Sequence, residues 1–287
     1  MKWWLLCLCL ACGSREQPLR IGYQKTGALF LLKARNTLQD VTWVEFQAGA
    51  PLMEALRADA IDVGYVGETP PVFAQAGDVP FVYLAADPPA PHAEAIVVQD
   101  GIARVADLQG KKIAVQRGSN AHYLLLRALQ RASVTPAEVV YLAPGDARSA
   151  FEARHVDAWA IWDPFLAVSE LRGARVLQDG EELVQNQFFY VARRGLAQER
   201  LKPLMEQLRA LGDWASTHHE QAAQLLADAS GLPYHALLAS ERRHPYGLRA
   251  ITPALLDDQQ RIADAFLAAQ LIPRAIRVHE AVLQAAR

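Results

Sequence analysis

Four segments of the chain place small, hydroxyl, amide or aromatic residues where a predicted strand gives way to a predicted helix. They are Tyr23-Gln24, Gly67-Glu68-Thr69-Pro70, Arg117-Gly118-Ser119-Asn120 and Trp162-Asp163-Pro164. Ligands of open parallel sheets bind beyond the carboxyl ends of the strands. A helix that begins there offers free N–H groups and a partial positive charge of roughly half an elementary charge. The four segments together predict a receptor for a small anion.

The turn Gly118-Ser119-Asn120 carries the sharpest signal for anion binding. Glycine lets the backbone approach a ligand closely, and the Ser119 hydroxyl and the Asn120 amide add donors at the same turn. The alternative is an ordinary helix start in which Ser119 or Asn120 is the N-cap. The corresponding turn at Thr69 favours the ligand-binding interpretation. His122, one helical turn further on, either faces the cleft or is a surface or capping histidine.

Trp159 and Trp162 lie in an apolar segment that has the character of a strand. Side chains alternate between the faces of a strand, so one tryptophan can pack in the core while the other lines a cleft. We expect Trp162, which is nearer the strand end, to contact an aliphatic part of the ligand; the alternative is that both are core residues. Asp163 would repel an anion, and we expect it to position other groups rather than to touch the ligand.

A short pattern occurs twice in the chain. Residues 21–27 and 113–119 each run from an apolar stretch through glutamine and a cation to a turn containing glycine and a hydroxyl residue. A second pair of similar segments, 56–64 and 151–159, follows at nearly the same separation. A duplicated layout of strands and helices indicates two similar lobes, and a cleft between lobes is a natural ligand site.

Strands that alternate with helices imply an α/β fold with parallel sheets built from crossover units. We predict two lobes with mainly parallel sheets, joined by a two-stranded hinge. Lobe I is expected to comprise residues 18–94 plus 190–287, and lobe II residues 95–189. The C-terminal part is expected to be helical over 201–229 and 253–270.

Composition excludes several classes of function. The 287 residues include 29 Lys and Arg against 31 Asp and Glu, which gives a net charge of −2 without a basic stripe, so nucleic acid is not an expected partner. The histidines show neither HxxxH nor HExxH spacing, and the body of the chain has no cysteine. No GxSxG or P-loop motif is present. We therefore expect neither a metal site nor a cofactor, and no enzyme activity.

The N-terminal residues 1–17 are predicted to be an export signal. They contain a cation, an apolar run and then small residues, and the apolar run is shorter than the ~20 residues needed to span a bilayer. Leu10-Ala11-Cys12-Gly13 resembles a bacterial lipobox, which predicts lipidation at Cys12, although Cys9 stands where leucine is usual. The alternatives are an intracellular protein with an apolar start and a wrongly assigned start codon.

Several segments resemble the aliphatic sulfonate-binding proteins of bacterial ABC importers, which belong to the type II periplasmic binding protein superfamily. The segments are 20–25, 43–46, 70–75, 118–129, 146–148 and 156–164, the last being the most specific. This resemblance implies a periplasmic monomer that captures an aliphatic sulfonate between its lobes and delivers it to the ABC permease. The membrane would be contacted only through a lipid anchor.

The resemblance and the strand-end segments give one set of expected ligand-binding residues. They are Tyr23, Gln24, Glu68, Thr69, Gly118, Ser119, Asn120, His122, Trp162 and Asp163. The chain departs from the family at Glu68-Thr69, where an aspartate and an apolar residue are common, and at Asn120-Ala121, which replaces a serine-rich turn. Three alternatives remain: a receptor for another small anion such as taurine, nitrate or a phosphonate; an enzyme on the same fold; or a sensor lipoprotein.

Overall fold

The computed structural model describes residues 17–136 and 138–282. Cys12 and nearly all of the predicted export signal lie outside these residues, so the prediction of lipidation is not addressed by the fold. Within the described ranges, none of the helices combines the length and the hydrophobicity that crossing a membrane would require.

The first sheet has five strands in the order β2-β1-β3-β10-β4. They are β1 (Leu19–Tyr23), β2 (Val41–Glu45), β3 (Val63–Gly67), β4 (Phe81–Ala86) and β10 (Phe188–Arg193). β1 runs parallel to β2 and β3, whereas β10 is antiparallel to β3 and β4. β3 is buried along its whole length because it has a strand on each side and helices on its faces.

The second sheet repeats this arrangement in the order β7-β6-β8-β5-β9. Its strands are β5 (Glu94–Val98), β6 (Lys112–Val115), β7 (Glu138–Tyr141), β8 (Ala158–Trp162) and β9 (Arg175–Asp179). β6 runs parallel to β7 and β8, and β5 is the strand antiparallel to its neighbours. Both sheets are thus mainly parallel, as predicted from the alternation of strands and helices.

The chain passes twice between the sheets, and each passage delivers one of the antiparallel strands. The first crossing, residues 87–93, leads from β4 into β5, and the second, residues 180–187, leads from β9 into β10. Phe188 and Phe189, which the predicted boundary assigned to lobe II, pair with β3 of the first sheet.

Helices cover the faces of both sheets. Those of the first two-thirds of the chain are α1 (Gly27–Arg35), α2 (Gly49–Arg57), α3 (Thr69–Ala76), α4 (Asn120–Ala132), α5 (Pro144–Glu152) and α6 (Phe165–Leu171). The C-terminal helices are α7 (Lys202–Ala215), α8 (His219–Ser230), α9 (Tyr234–Arg243) and α10 (Pro253–Ala268). Short 3-10 helices occupy Pro91–Ala93, Val105–Leu108, Gln198–Leu201 and Val278–Ala281.

The single helix expected over 201–229 is two helices. Ser216 and Thr217 follow α7, and their hydroxyls bond to the carbonyl oxygens of Asp213 and Trp214. Such local bonds compete with continuation of a helix. The helix expected after Pro164 is α6. β9 and α9 were not predicted; β9 is a half-buried edge strand with a weak apolar pattern.

Helix α10 contacts both lobes. The buried ring of Phe266 packs against Phe73 of α3 and against His122 and Tyr123 of α4. The C-terminal helix therefore covers one end of the cleft that lies between α3 and α4.

Candidate functional site

A narrow cavity of about 20 Å³ lies between the lobes, at the carboxyl ends of β1, β3, β6 and β8. Its lining consists of Gln24, Ala48, Gly49, Ala50, Gly67, Pro70, Gln116, Arg117, Gly118, Ser119, Asn120, Trp162 and Phe188. No carboxylate is among these lining residues, whereas the first turns of three helices are. This composition suits a ligand that carries negative charge and needs hydrogen-bond donors.

Helix α2 contributes an N-terminus that the sequence analysis missed. Ala48 is its N-cap, and the N–H groups of Gly49 and Ala50 have no acceptor within the helix. Gly49 is required here because a Cβ would lie 2.5 Å from Pro70 Cγ of α3. The small residues thus let α2 and α3 approach closely, and the segment carries no side-chain donor that sequence reasoning could have recognised.

Helix α4 begins at the turn that gave the sharpest sequence signal. Ser119 is its N-cap: its Oγ accepts from the His122 N–H at 3.2 Å and donates to the Gln116 carbonyl oxygen at 2.8 Å. The capping interpretation is therefore correct for the hydroxyl. Capping does not exclude ligand binding, because the N–H groups of Asn120 and Ala121 in the first turn still have no intrahelical acceptor.

The Asn120 side chain links the two lobes. Its Oδ1 accepts from the Thr69 N–H of α3 at 3.1 Å. Its Nδ2 donates to Asn186 Oδ1 at 2.7 Å and to the Gln187 carbonyl oxygen at 3.3 Å, both in the second crossing. A Cβ on Gly67 would collide with this amide, so the glycine makes room for it. The amide therefore holds the lobes together rather than offering free donors to the cavity.

Thr69 lies beside the cavity without lining it. It is fully buried, its N–H is taken by Asn120, and its Oγ1 has no partner within the described residues. Pro70 and Pro71 follow in the first turn of α3 and have no N–H. Helix α3 therefore contributes its dipole but no backbone donor. Thr69 does not have the position in the cavity that Ser119 has, although the sequence suggested that the two turns correspond.

The structure separates Tyr23 from Gln24. Gln24 lines the cavity and donates from Nε2 to the Tyr65 carbonyl oxygen at 3.1 Å. The Tyr23 hydroxyl instead donates to Glu45 Oε2 at 2.9 Å, and its ring packs on Phe30. Successive residues of a strand point to opposite faces, and Tyr23 accordingly packs against α1 rather than lining the cavity.

His122 is a buried neighbour of the cavity. Its Nδ1 accepts from the Gly118 N–H at 3.2 Å, and its ring packs against Tyr141 and Phe266. Burial, with a smaller effect of nearby Arg117, lowers the pKa of the imidazole to about 4. His122 is therefore neutral near pH 7 and acts by holding the Gly118 turn in place.

The two tryptophans divide as the alternation of strand β8 predicts. Trp159 is fully buried and packs near Phe151, whereas Trp162 lines the cavity. Phe188 of β10 lines the same cavity and stacks on Tyr65, with ring centroids 5.2 Å apart. Trp162 and Phe188 give the cavity an apolar wall, and nothing in the sequence pattern distinguished Phe188 from the other core residues of β10.

Asp163 lies behind Trp162 and points away from the cavity. Its carboxylate accepts two hydrogen bonds from Arg243 of α9, at 2.9 and 3.0 Å, and one from the Ala167 N–H at 3.0 Å. Burial raises the pKa of Asp163 to about 7, while the Arg243 charge opposes this rise. Arg243 also donates to Glu170 Oε2 at 2.8 Å, so this ion pair fastens α9 to the second lobe.

Glu68 also faces away from the cavity. Its Oε2 accepts from the Gln187 N–H at 2.8 Å, and its Oε1 has no hydrogen-bond partner within the described part of the chain. Burial raises the pKa of Glu68 to about 7. Of the ten residues expected to bind ligand, five line the cavity and five lie behind it. The five that line it are Gln24, Gly118, Ser119, Asn120 and Trp162.

One group of possible metal ligands occurs among the described residues. His92, Asp179 and Glu181 offer atoms within 4.8 Å of one another, and none of the three lines the cavity. His92 Nδ1 and Asp179 Oδ2 pair directly at 2.8 Å, and the histidine side chain is about half exposed. The cavity itself has no set of residues that could ligate a metal.

Residues 40–198 of the chain match the NMT1/THI5-like family. A protein of Escherichia coli (strain K12) named "Putative aliphatic sulfonates-binding protein" is 38% identical over 291 residues, which cover 96% of this chain and 91% of the relative. The alkanesulfonate-binding protein SsuA from Xanthomonas axonopodis pv. citri bound to MOPS is 38% identical and has a TM-score of 0.89 over 94% of this chain and 99% of that one.

The periplasmic aliphatic sulphonate binding protein SsuA from Escherichia coli is also similar in structure. It is 37% identical, with a TM-score of 0.84 over 95% of this chain and 94% of the other. These relatives are binding proteins. The chain belongs to the NMT1/THI5-like family and to the aliphatic sulfonate-binding proteins, whose α/β fold it shares.

Proposed function

We propose that this protein captures an alkyl sulfonate in the interlobe cavity and delivers it to an ABC importer. The observation that carries the proposal is the lining of the cavity: the N-termini of α2 and α4 face a space that no carboxylate borders. The names of the similar proteins, which specify aliphatic sulfonates, support the same ligand class.

The chemistry of a sulfonate fits this lining. A sulfonate is a permanent monoanion near neutral pH, with three acceptor oxygens and no proton to donate. It therefore requires donors only, and the N–H groups of Gly49, Ala50, Asn120 and Ala121 supply them. Hydrogen bonds to a charged group contribute roughly 1.5–3 kcal/mol each. Three or four of them support micromolar affinity, which corresponds to about −8 kcal/mol.

The apolar wall of the cavity fits an aliphatic tail. Trp162 and Phe188 face the cavity together with the small side chain of Ala48 and the ring of Pro70. Each methylene that moves from water into such a wall contributes about 0.8 kcal/mol. A narrow cavity favours short unbranched tails over bulky ones.

Ligand binding is coupled to closure of the lobes. We place the first sheet and the C-terminal helices, residues 18–86 plus 188–287, in lobe I and residues 94–179 in lobe II, with the two crossings as the hinge. The Asn120–Thr69 hydrogen bond joins the two lobes and forms only when they are together, while Asn120 also bonds to Asn186 of the second crossing. A ligand that touches α2 of one lobe and α4 of the other binds the closed form more tightly and shifts the population toward it.

The remaining parts of the proposal concern location and partners. The protein acts as a monomer in the periplasm or outside the cytoplasm, and the ABC permease receives the ligand after the lobes open. Lipidation at Cys12 would hold the protein at the membrane surface. The Ser119 hydroxyl caps a helix and does not bond to the His122 ring, so these two residues do not form a nucleophile–base pair.

Isothermal titration calorimetry against a ligand series tests the proposed function. The series comprises methane-, propane- and hexanesulfonate, taurine, nitrate, sulfate and methylphosphonate. We expect propanesulfonate to bind with micromolar affinity and to raise the thermal midpoint in proportion to the logarithm of its concentration over Kd. Tighter binding of nitrate or of a phosphonate than of every sulfonate would assign the cavity to another anion. No binding of any organosulfonate would refute the proposal.

A further inference from the structure

Two buried carboxyl groups lie near the interface between the lobes. Glu68 stands at the start of α3 in the first lobe, and Glu94 is the first residue of β5 in the second sheet. Their exposures are 1% and 0%. Three of their four carboxyl oxygens, Glu68 Oε1 and both oxygens of Glu94, have no hydrogen-bond partner in the described part of the chain. Buried ionised carboxylates are normally paired, so this pair is unusual.

The pair lies directly behind the wall of the anion cavity. Glu94 is the cross-strand partner of Trp162, and directly opposite residues share one face of a sheet. Glu68 follows Gly67, where an added Cβ would collide with the Asn120 amide. Trp162, Gly67 and Asn120 all line the cavity. A negative charge on either carboxyl would therefore act on an anion bound in front of it.

Among the residues that the structure describes, no cation is bonded to either carboxyl. The charged and titratable groups around Glu68 are Tyr123 and Arg127 of α4, Asp258 and Arg261 of α10, and Glu182 of the second crossing, which share a surface cavity of about 410 Å³ with it. Both arginines are exposed and bond elsewhere, Arg261 to Asp258. The ionisable group that acts on Glu94 is Glu68 itself. Burial comes first among the causes that raise the pKa of each carboxyl.

We propose that Glu68 and Glu94 form a proton-linked pair, so that closing the lobes on an anion takes up protons at this pair. The inference rests on the proposed function, since it requires that an anion binds in the cavity. In the closed form both carboxyls are neutral and do not repel the ligand. In the open form water reaches them, and they ionise as ordinary carboxyls do.

The sign of the pH dependence follows from the two pKa values. Burial raises the pKa of Glu68 to about 7 in the closed form, whereas a hydrated glutamate has a pKa of about 4.3. Between these values the closed form binds more protons than the open form, so its advantage is greatest in acid and is lost as the pH rises through 7. For Glu68 alone this predicts a Kd roughly 30-fold weaker at pH 8.5 than at pH 5.5. Glu94 extends the dependence to higher pH.

Calorimetric titration of the full chain with propanesulfonate tests the pair. We expect Kd to weaken by at least tenfold from pH 5.5 to 8.5. Titrations at pH 6 in buffers of different ionisation enthalpy should show uptake of about two protons for each anion bound, one at each carboxyl. The isosteric variants Glu68→Gln and Glu94→Gln should each flatten the pH profile, and the double variant should abolish it. The exposed carboxyl of Glu206 on α7 provides a matched control, and Glu206→Gln should leave the profile unchanged.

The outcomes separate the inference from the proposed function. If no sulfonate binds at any pH, the proposed function fails and the inference with it. If propanesulfonate binds with a Kd that changes less than twofold and without proton uptake, the function stands and the inference is overturned. This test uses the unmodified protein, so it holds even if a variant fails to fold. A profile that persists in the double variant but disappears in Asp163→Asn would assign the proton to Asp163 instead.

Discussion

Replacing Asn120 by alanine removes the amide that joins the two lobes while leaving the N–H groups at the start of α4 in place. The side chain receives the Thr69 N–H and donates to Asn186 Oδ1 and the Gln187 carbonyl oxygen. It is 6% exposed. The substitution therefore separates the contribution of closure from that of direct anion binding.

The cost of Asn120→Ala can be worked from the groups left behind. The Thr69 N–H and Asn186 Oδ1 lose their partners, and each buried unsatisfied group costs about 1–3 kcal/mol. In the open form water can satisfy both groups, so the cost falls mainly on the closed form. Water that enters the new space reduces the total toward about 2 kcal/mol, which corresponds to roughly a 30-fold weaker Kd.

Calorimetry with propanesulfonate at one pH measures this change. Asn120→Asp should be weaker still, because a carboxylate cannot donate to Asn186 or Gln187 and adds negative charge beside the anion. Gln224→Ala removes an exposed amide on α8 and should bind as the wild type does. If both Asn120 variants bound propanesulfonate within twofold of the wild type, the amide would have no part in closure and the reasoning would be wrong.

Three further predictions concern the apolar wall, the ion pair behind it and the buried histidine. Trp162→Ala should weaken hexanesulfonate binding by at least tenfold more than methanesulfonate binding in calorimetric titrations, because only the longer tail reaches the wall; equal losses would contradict this placement. Arg243→Met should lower the free energy of unfolding, measured in urea, by about 3–5 kcal/mol, because it leaves the Asp163 carboxyl buried without its partner. As a control, Arg242→Met on the exposed side of α9 should change the free energy of unfolding by about 0.5 kcal/mol or less. The pKa of His122 is about 4 in the folded protein, which is below its value in the unfolded chain, so the unfolded state binds a proton more readily. This difference should remove about 3 kcal/mol of the free energy of unfolding as the pH falls from 7 to 4. In urea unfolding, His122→Gln should lose correspondingly less stability over this pH range than the wild type, and identical losses would contradict the assignment.

The sequence predicted the two-lobed fold because the apolar runs alternate regularly with helical segments. It also separated Trp159 from Trp162, since the two stand an odd number of residues apart in one strand. The same rule argues against choosing both Tyr23 and Gln24 as ligand residues, because neighbours in a strand face opposite ways. The structure brings only Gln24 to the cavity.

Other features of the site could not be predicted from residue types. The start of α2 at Ala48, Gly49 and Ala50 contributes backbone groups alone, so no side-chain pattern marks it. In the sequence, the Thr69 turn resembles the Ser119 turn, but in the structure the Thr69 N–H donates to Asn120 Oδ1 and is not free to bind a ligand. That bond joins elements distant along the chain, and only the packing of one lobe against the other creates it.

The position of β10 has a consequence for how the chain is assembled. This strand fills the gap between β3 and β4, yet the entire second sheet separates it from β4 along the chain. A nascent chain that stops short of Phe188 leaves two strands with unpaired edges, and such edges template aggregation. Closing so long a loop is also slow. A fragment ending within the second sheet should therefore be insoluble rather than yield a free-standing first lobe.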